Sequence, residues 1–354
     1  MVAAAGNNGK NFLTGQKIYG QIHSPGNDPS VLTVGASNSM GTDSRSDDVM
    51  TTYSSHGPTR SYYTVSGVKN YDNVIKPDIV APGNQIVAAQ ARSTSTLITL
   101  FPSLTDSTLN ITGDDNDMMY LSGTSMSTPM AAGAAALLFQ MNPKMTPTLV
   151  KMVLEYTAQP LNGINMLEQG AGQLNVEGAI KLARLYKFDS DINSFAKGAT
   201  LLQSGQSFPT ASSTVGGTTF SWAQGILANH VYLKGQNLAG QYQDTYERFY
   251  WFEDGINYNS SGTPSLNTLL YGGGITLSQN VLTSNATAMG GGTVFCASGV
   301  LISDGVLISD GQIFGDGVLV SDGVLVSDGV LVSDGTTAST NNVLVTGDNT
   351  SAMQ

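Results

Sequence analysis

The chain has 354 residues, 40% of them hydrophobic, which is enough for one large domain or two smaller ones and excludes disorder throughout. Only 12% are charged, about half the usual share, and Gly is abundant at 41 residues, which points to a loop-rich, β-containing, extracellular-type chain rather than a helical bundle. The net charge of −11 is unevenly placed: after Arg248 there are nine acidic residues and no basic one, which argues against nucleic-acid binding and leaves cation binding or solubility as roles for that stretch.

In chain order, Val31-Leu32-Thr33-Val34-Gly35-Ala36 reads as a buried strand, and so does Asp78-Ile79-Val80-Ala81, closed by Pro82-Gly83. A helix is expected from about Ser125 to Met141. Its middle is small and apolar throughout (Ala131 to Ala136), so burial on all sides is expected, and Asn142-Pro143 ends it. A second helix starts at Thr146 as N-cap with Pro147 at the first helical position, and runs to about Tyr156. A third is capped by Asn175 and runs to about Tyr186. Strands interleaved with helices give an α/β fold with a mostly parallel sheet.

From 189 to 298 the composition turns to Ser, Thr, Gly, Asn and aromatics, an irregular β-rich region with no clear helix. Residues 299–334 repeat a six-residue unit, Gly299-Val300-Leu301-Ile302-Ser303-Asp304 and its copies, before a tail at 335–354. Each unit is a β-prone triplet followed by a Ser-Asp-Gly turn signal. Stacked turns of a β-solenoid, a flexible low-complexity tail and a self-associating segment all fit this pattern. A ladder of Asp residues in the repeat, or the cluster Asp114, Asp115 and Asp117, offers carboxylates to Ca²⁺, but neither forms a specific calcium motif, so no cofactor is expected. The single Cys296 allows no intrachain disulfide, Met1 to Gly6 does not read as a signal peptide, and the longest apolar run, Ala131 to Phe139, is too short to span a bilayer.

The strongest chemical signal is Leu121-Ser122-Gly123-Thr124-Ser125-Met126-Ser127-Thr128-Pro129 at the head of the Ala-rich helix. A Ser there sits in the positive end of the helix dipole, and its N–H has no intrahelical partner. Gly123 permits close approach, and Pro129 is expected in the first turn, where a missing N–H costs nothing. Taken alone, an ordinary Ser/Thr helix cap accounts for the stretch.

Gly123-Thr124-Ser125-Met126-Ser127-Thr128-Pro129 resembles the nucleophile motif of the subtilase family, the subtilisin-like serine proteases. Five further segments resemble that family in its order: Val2 to Asn7, Pro29 to Ala36, Tyr53 to Pro58, Lys76 to Gly83, and Gly170 to Asn175. The resemblance covers the C-terminal part of a catalytic domain, taken as residues 1–188. It implies acyl transfer to Ser125, with Asn7 and the Ser125 N–H holding the oxyanion. It also implies that Ala5, Gly6, Pro25 and Gly26 border the pocket for the substrate side chain, with Ser24-Pro25 as a candidate cis bond. Without the family, Ala5 and Gly6 are small residues at a strand end, and Pro25-Gly26 is an ordinary turn.

The family places its catalytic Asp and His before the oxyanion Asn, yet no Asp-Thr/Ser-Gly motif precedes Asn7 and no His-Gly-Thr motif occurs anywhere. His23, His56 and His230 read as ordinary polar residues, with His230 the freest to be placed near Ser125. Asp78 reads as a structural strand residue. The expected function is a serine endopeptidase present as a truncated chain, extracellular in its full-length parent and acting on polypeptides. The alternatives are a serine esterase with an incomplete triad, acting on small esters, and a non-catalytic fragment assembled through its repeat tail. An uncovered edge of the sheet further implies self-association or a missing N-terminal segment.

Overall fold

The computed structural model describes residues 1–248 except 12, 14, 16, 73, 91–94, 107–116, 188, 189 and 230. Beyond them it describes the backbone of short strands between Ile256 and Ser327, and residues 343, 345, 347, 348, 350 and 351.

The centre is a mixed α/β arrangement with a partly parallel sheet. Strand β1 (Val2–Ala4) pairs in parallel with β2 (Leu32–Asn38), and β2 pairs in parallel with β3 (Ile79–Pro82). The short strand Val49–Met50 extends the sheet antiparallel to Ser37 and Asn38. All seven residues of β2 are buried, which is why it reads as a continuous apolar and small-residue run instead of an alternating one. On its outer side β1 has no partner strand among the described residues. A second, antiparallel sheet joins β4 (Ile86–Ala89), β5 (Thr105–Asp106) and β6 (Met118–Leu121), so that β6 delivers the chain to the head of the main helix.

Helix α1 (Thr124–Met141) packs on β1, β2 and β3, and α2 (Pro147–Thr157) and α3 (Val176–Ala183) pack beside it. The expected caps are present: Thr146 Oγ1 accepts from Leu149 N at 3.2 Å, and Asn175 Oδ1 accepts from Gly178 N at 3.1 Å. The third helix stops at Ala183, short of Tyr186, whose N–H bonds Ala183 O in a turn.

Two expectations about α1 are corrected. The helix is buried along one stripe only (Ser127, Ala131, Ala134, Leu138), while Leu137 and Phe139 on the other side are 41% and 37% exposed. An all-apolar composition cannot say which face finds a partner; packing decides that. Pro129 lies not in the first turn but inside the helix, because α1 begins at Thr124. The four N–H groups that need no partner end at Ser127, so Pro129 leaves the Ser125 carbonyl without its helical donor.

The core runs without a break from Val34, Ile79, Leu138 and Leu149 to Trp222, Ile226 and Leu227 in the second half. There, β7 (Gly225–Ala228) and β8 (Val231–Lys234) form an antiparallel pair, and Leu227 N donates to Glu155 Oε2 of α2 at 2.7 Å. The short helix Gln236–Gly240 departs from the helix-free reading of this region. Within the repeat, strand Leu301–Ser303 pairs in parallel with Leu319–Ser321, and Leu307–Ser309 with Leu325–Ser327.

Beneath the sheet lies a buried charge quartet. Lys76 Nζ is 2.8 Å from Asp78 Oδ2, Lys151 Nζ is 2.9 Å from Asp78 Oδ1, and Lys151 lies 3.9 Å from Glu155. Asp78 Oδ2 also accepts from Thr33 N at 2.6 Å, tying the quartet to β2. Asp78, immediately before β3, is therefore structural.

Candidate active site

The candidate residues meet where β1 ends and α1 begins. After Ala4 the chain turns through Gly6, at φ 112°, and presents Asn7 to the head of α1. Asn7 Oδ1 accepts from Thr124 N at 2.9 Å and from Thr124 Oγ1 at 3.0 Å. Thr124 Oγ1 in turn accepts from Gly6 N at 3.2 Å. Because both bonds go to the amide oxygen, the side chain has one orientation, and its Nδ2 is left as a donor beside Gly123. Gly123 has φ 149°, and a Cβ there would come within 3.2 Å of Asn7 Nδ2. Ser125 follows as the second residue of α1; its side chain is exposed, and its N–H is one of the helix's unpaired donors.

The same turn is held from behind. Gly83, after β3, accepts from Gly123 N at 2.8 Å and from the Tyr53 hydroxyl at 2.8 Å. A Cβ on Gly83 would sit 2.2 Å from Ser127 Oγ and 2.9 Å from the Ala36 Cβ, so only glycine lets the Pro82-Gly83 turn approach α1 this closely.

The four expected pocket residues are also brought together. His23 N donates to Ala5 O at 2.9 Å, and a Cβ on Gly26 would lie 2.9 Å from Ala4 O. Ala5 and Gly26 are buried and Pro25 is exposed. The Ser24-Pro25 bond is cis. These contacts set the loop 23–26 directly against the strand end 4–6.

Neither described histidine stands as a base on Ser125. His56 is buried; its Nδ1 is 2.9 Å from Ile18 O, its ring lies 5.1 Å from that of Tyr19, and burial lowers its pKa below the ordinary value. His23 Nε2 is 2.9 Å from Asn8 Nδ2. His230 lies outside the described residues, as do Asp114 and Asp115. Asp117 is described, and its carbonyl accepts from Gln90 N at 2.8 Å. Among the described residues no group of three or more His, Cys, Asp or Glu could hold a metal ion, and no helix is long and apolar enough to cross a membrane.

Residues 1–177 match the model of the subtilase family of peptidases. The chain belongs to the subtilase family. It is 34% identical over 177 residues to serine protease AprX of Bacillus subtilis (strain 168), covering 50% of this chain and 34% of AprX. It is 33% identical over 138 residues to subtilisin-like protease SBT4.15 of Arabidopsis thaliana, covering 38% of this chain and 17% of that protein. The chain thus spans about a third or less of the curated relatives named here. Among solved structures, the patellamide maturation protease PatA matches with 28% identity, 52% of this chain, 50% of that chain and a TM-score of 0.33.

For this subtilase, the motif residues that sequence reading left without a role are Thr124 and Tyr53. Thr124 clamps both Gly6 and Asn7, across a separation of 118 residues in the first case. Its place beside Ser125 in the motif is its one signal in the sequence. Nothing in the sequence ties Tyr53 to Gly83.

Proposed function

We propose that this chain carries the nucleophile side of a subtilisin-type serine endopeptidase centre. Ser125 Oγ attacks the carbonyl carbon of a peptide bond, the carbonyl oxygen becomes an oxyanion, and Asn7 Nδ2 and the Ser125 N–H donate to it. The carrying observation is the double acceptance by Asn7 Oδ1, which leaves Nδ2 as a donor beside Gly123 at the head of α1, next to an exposed Ser125. The Ser125 proton passes to a histidine and then to the leaving amine, and water releases the acyl group. With His23 and His56 committed elsewhere, we assign the base and its orienting carboxylate to a segment bearing the family's Asp and His motifs. Ala5, Gly6, Pro25 and Gly26 border the side-chain pocket, the substrate is a polypeptide, and the setting is extracellular. The acyl transfer itself calls for no cofactor.

A second reading follows from the same commitment of the histidines: without a base, turnover is confined to activated esters, whose leaving groups need less protonation. Intact-mass analysis after fluorophosphonate treatment, with Ser125→Ala as control, tests both. Labelling that vanishes in the variant supports a working Ser125. Folded protein that stays unlabelled, and gains labelling only when a segment carrying the Asp and His motifs is added, assigns the base to that segment. No labelling in either case overturns the reading.

A further inference from the structure

The nucleophile turn has a second occupied surface. Residues near the C-terminus return to it across 264 residues. Asp348 N donates to Asn84 Oδ1 at 2.7 Å, and Asn84 Nδ2 donates back to Asp348 O at 2.9 Å. One side-chain amide thus pairs with both backbone groups of one residue, the pattern by which an amide recognises an extended peptide. Asn84 Nδ2 also donates to Thr350 Oγ1 at 2.8 Å, and Thr350 Oγ1 donates to Asn38 Oδ1 at 3.2 Å.

The Asp348 carboxylate has its own seat. Thr52 N donates to Oδ2 at 2.8 Å and Thr52 Oγ1 to Oδ1 at 2.5 Å, while Lys10 Nζ donates to the same Thr52 hydroxyl at 2.8 Å. A cation one hydrogen bond behind the donor favours an acidic side chain there. Beside it, Gly347 sits at φ 52°, and a Cβ would lie 2.3 Å from Ser122 Oγ and 2.4 Å from Asn84 Oδ1, so the seat before the acid is shaped for glycine. Val345 packs on the small apolar cluster of Ile98, Leu104 and Met119.

Three parts of this cradle adjoin residues of the catalytic turn. Asn84 follows Gly83, Thr52 precedes Tyr53, and Ser122 stands three residues before Ser125. We propose that Asn84, Thr52, Lys10, Ser122 and Asn38 form a peptide-binding cradle flanking Ser125 that selects a Gly-Asp pair, and that its resident occupants are this chain's own Gly347, Asp348 and Thr350. Its bearing on catalysis rests on the function proposed above; the binding itself does not. A polypeptide lying along this side of the nucleophile competes with the tail, which is present at the high effective concentration of a tethered ligand.

The test is fluorescence anisotropy with a labelled peptide Val-Leu-Val-Thr-Gly-Asp-Asn-Thr-Ser, added to the full chain. Wild-type protein is expected to bind it weakly, because its own tail holds the seat. Gly347→Ala and Asp348→Ala in the chain, which alter the tail and leave the cradle intact, are expected to tighten binding at least about tenfold. Adding Asn84→Ala to either variant should reverse that gain, and a peptide with Asn in place of Asp should bind at least about tenfold more weakly to the opened chain. Circular dichroism confirms that each variant is folded. Equal affinity for wild-type and both tail variants, or binding indifferent to Asn84 and to the peptide's Asp, overturns the proposal. The readout does not depend on Ser125, so a chain that binds the peptide but resists the fluorophosphonate separates the two readings.

Discussion

The two ends of strand β3 put polar groups to opposite uses. At its start, Asp78, Lys76, Lys151 and Glu155 are sealed under the sheet, with Asp78 within 2.9 Å of both lysines and Glu155 3.9 Å from Lys151. At its end, the Pro82-Gly83 turn supports the head of α1, where Ser125 is exposed and the Asn7 amide nitrogen is left as a donor beside Gly123. Charges removed from water are tolerated only when paired, so the buried end spends its polar groups on one another. The open end fixes orientation with one atom of Asn7 and leaves the other for a ligand. Structural polar groups are saturated; the candidate catalytic ones are half-saturated by design of the turn.

The largest effect should come from breaking the sealed end. Asp78→Ala strands two buried lysines and should cost about 3–5 kcal/mol, read from urea unfolding. A loss below about 1 kcal/mol would show that water reaches the quartet and that the contrast between the ends is false.

Next is the open end. Asn7→Ala loses both bonds from Thr124, at about 0.5–1.5 kcal/mol each, and should slow fluorophosphonate labelling of Ser125 by about 10²–10³-fold, the size known for removing this kind of donor in a subtilisin. Labelling at the wild-type rate would remove Asn7 from the chemistry.

Thr124→Val sharpens the comparison, because Thr124 belongs to both uses. It loses the bonds to Asn7 Oδ1 and Gly6 N made by the hydroxyl, at about 0.5–1.5 kcal/mol each, yet keeps the backbone donor to Asn7. Labelling should fall less than in Asn7→Ala, with the melting temperature lowered by a few degrees. A labelling defect as deep as that of Asn7→Ala would mean that the hydroxyl itself acts in the reaction.

The smallest effect is a pH slope. Burial first, and then the nearby Asp78, push Glu155 up to about 8 from an ordinary value of 4.5, against the pull of Lys151 and the Leu227 N–H. A carboxyl that holds its proton more tightly when folded stabilises most below pH 4.5 and loses that contribution as pH rises toward 8. Melting temperatures of wild type and Glu155→Gln across that window should converge or cross as pH rises, the wild type declining and the variant staying flat. Parallel curves would place an ionised Glu155 in the folded state throughout.

Much of the framework was legible. The caps at Thr146 and Asn175 act locally, within three residues, so their chemistry is written in neighbouring positions. The motif Gly123 to Pro129 announced the head of a helix, though it set Pro129 in the wrong turn. The quartet left only faint marks: Lys76 and Asp78 two apart beside a buried strand, and Lys151 and Glu155 four apart in an otherwise apolar helix face. Opposite charges at those spacings usually lie in water, and nothing local distinguishes the buried case.

By itself, then, the sequence determined the helices that carry their own caps, the buried strands β2 and β3, the family, and Ser125 as the residue to suspect. Each of these rests on interactions between residues close in the chain or on composition within one segment. Only the tertiary structure decided which stripe of α1 is buried, that Thr124 orients Asn7 from 117 residues away, and that Asp348 returns to Asn84 across 264. Those outcomes depend on closing long loops, and the entropy of closure is repaid by packing summed over the whole core, which no single segment encodes.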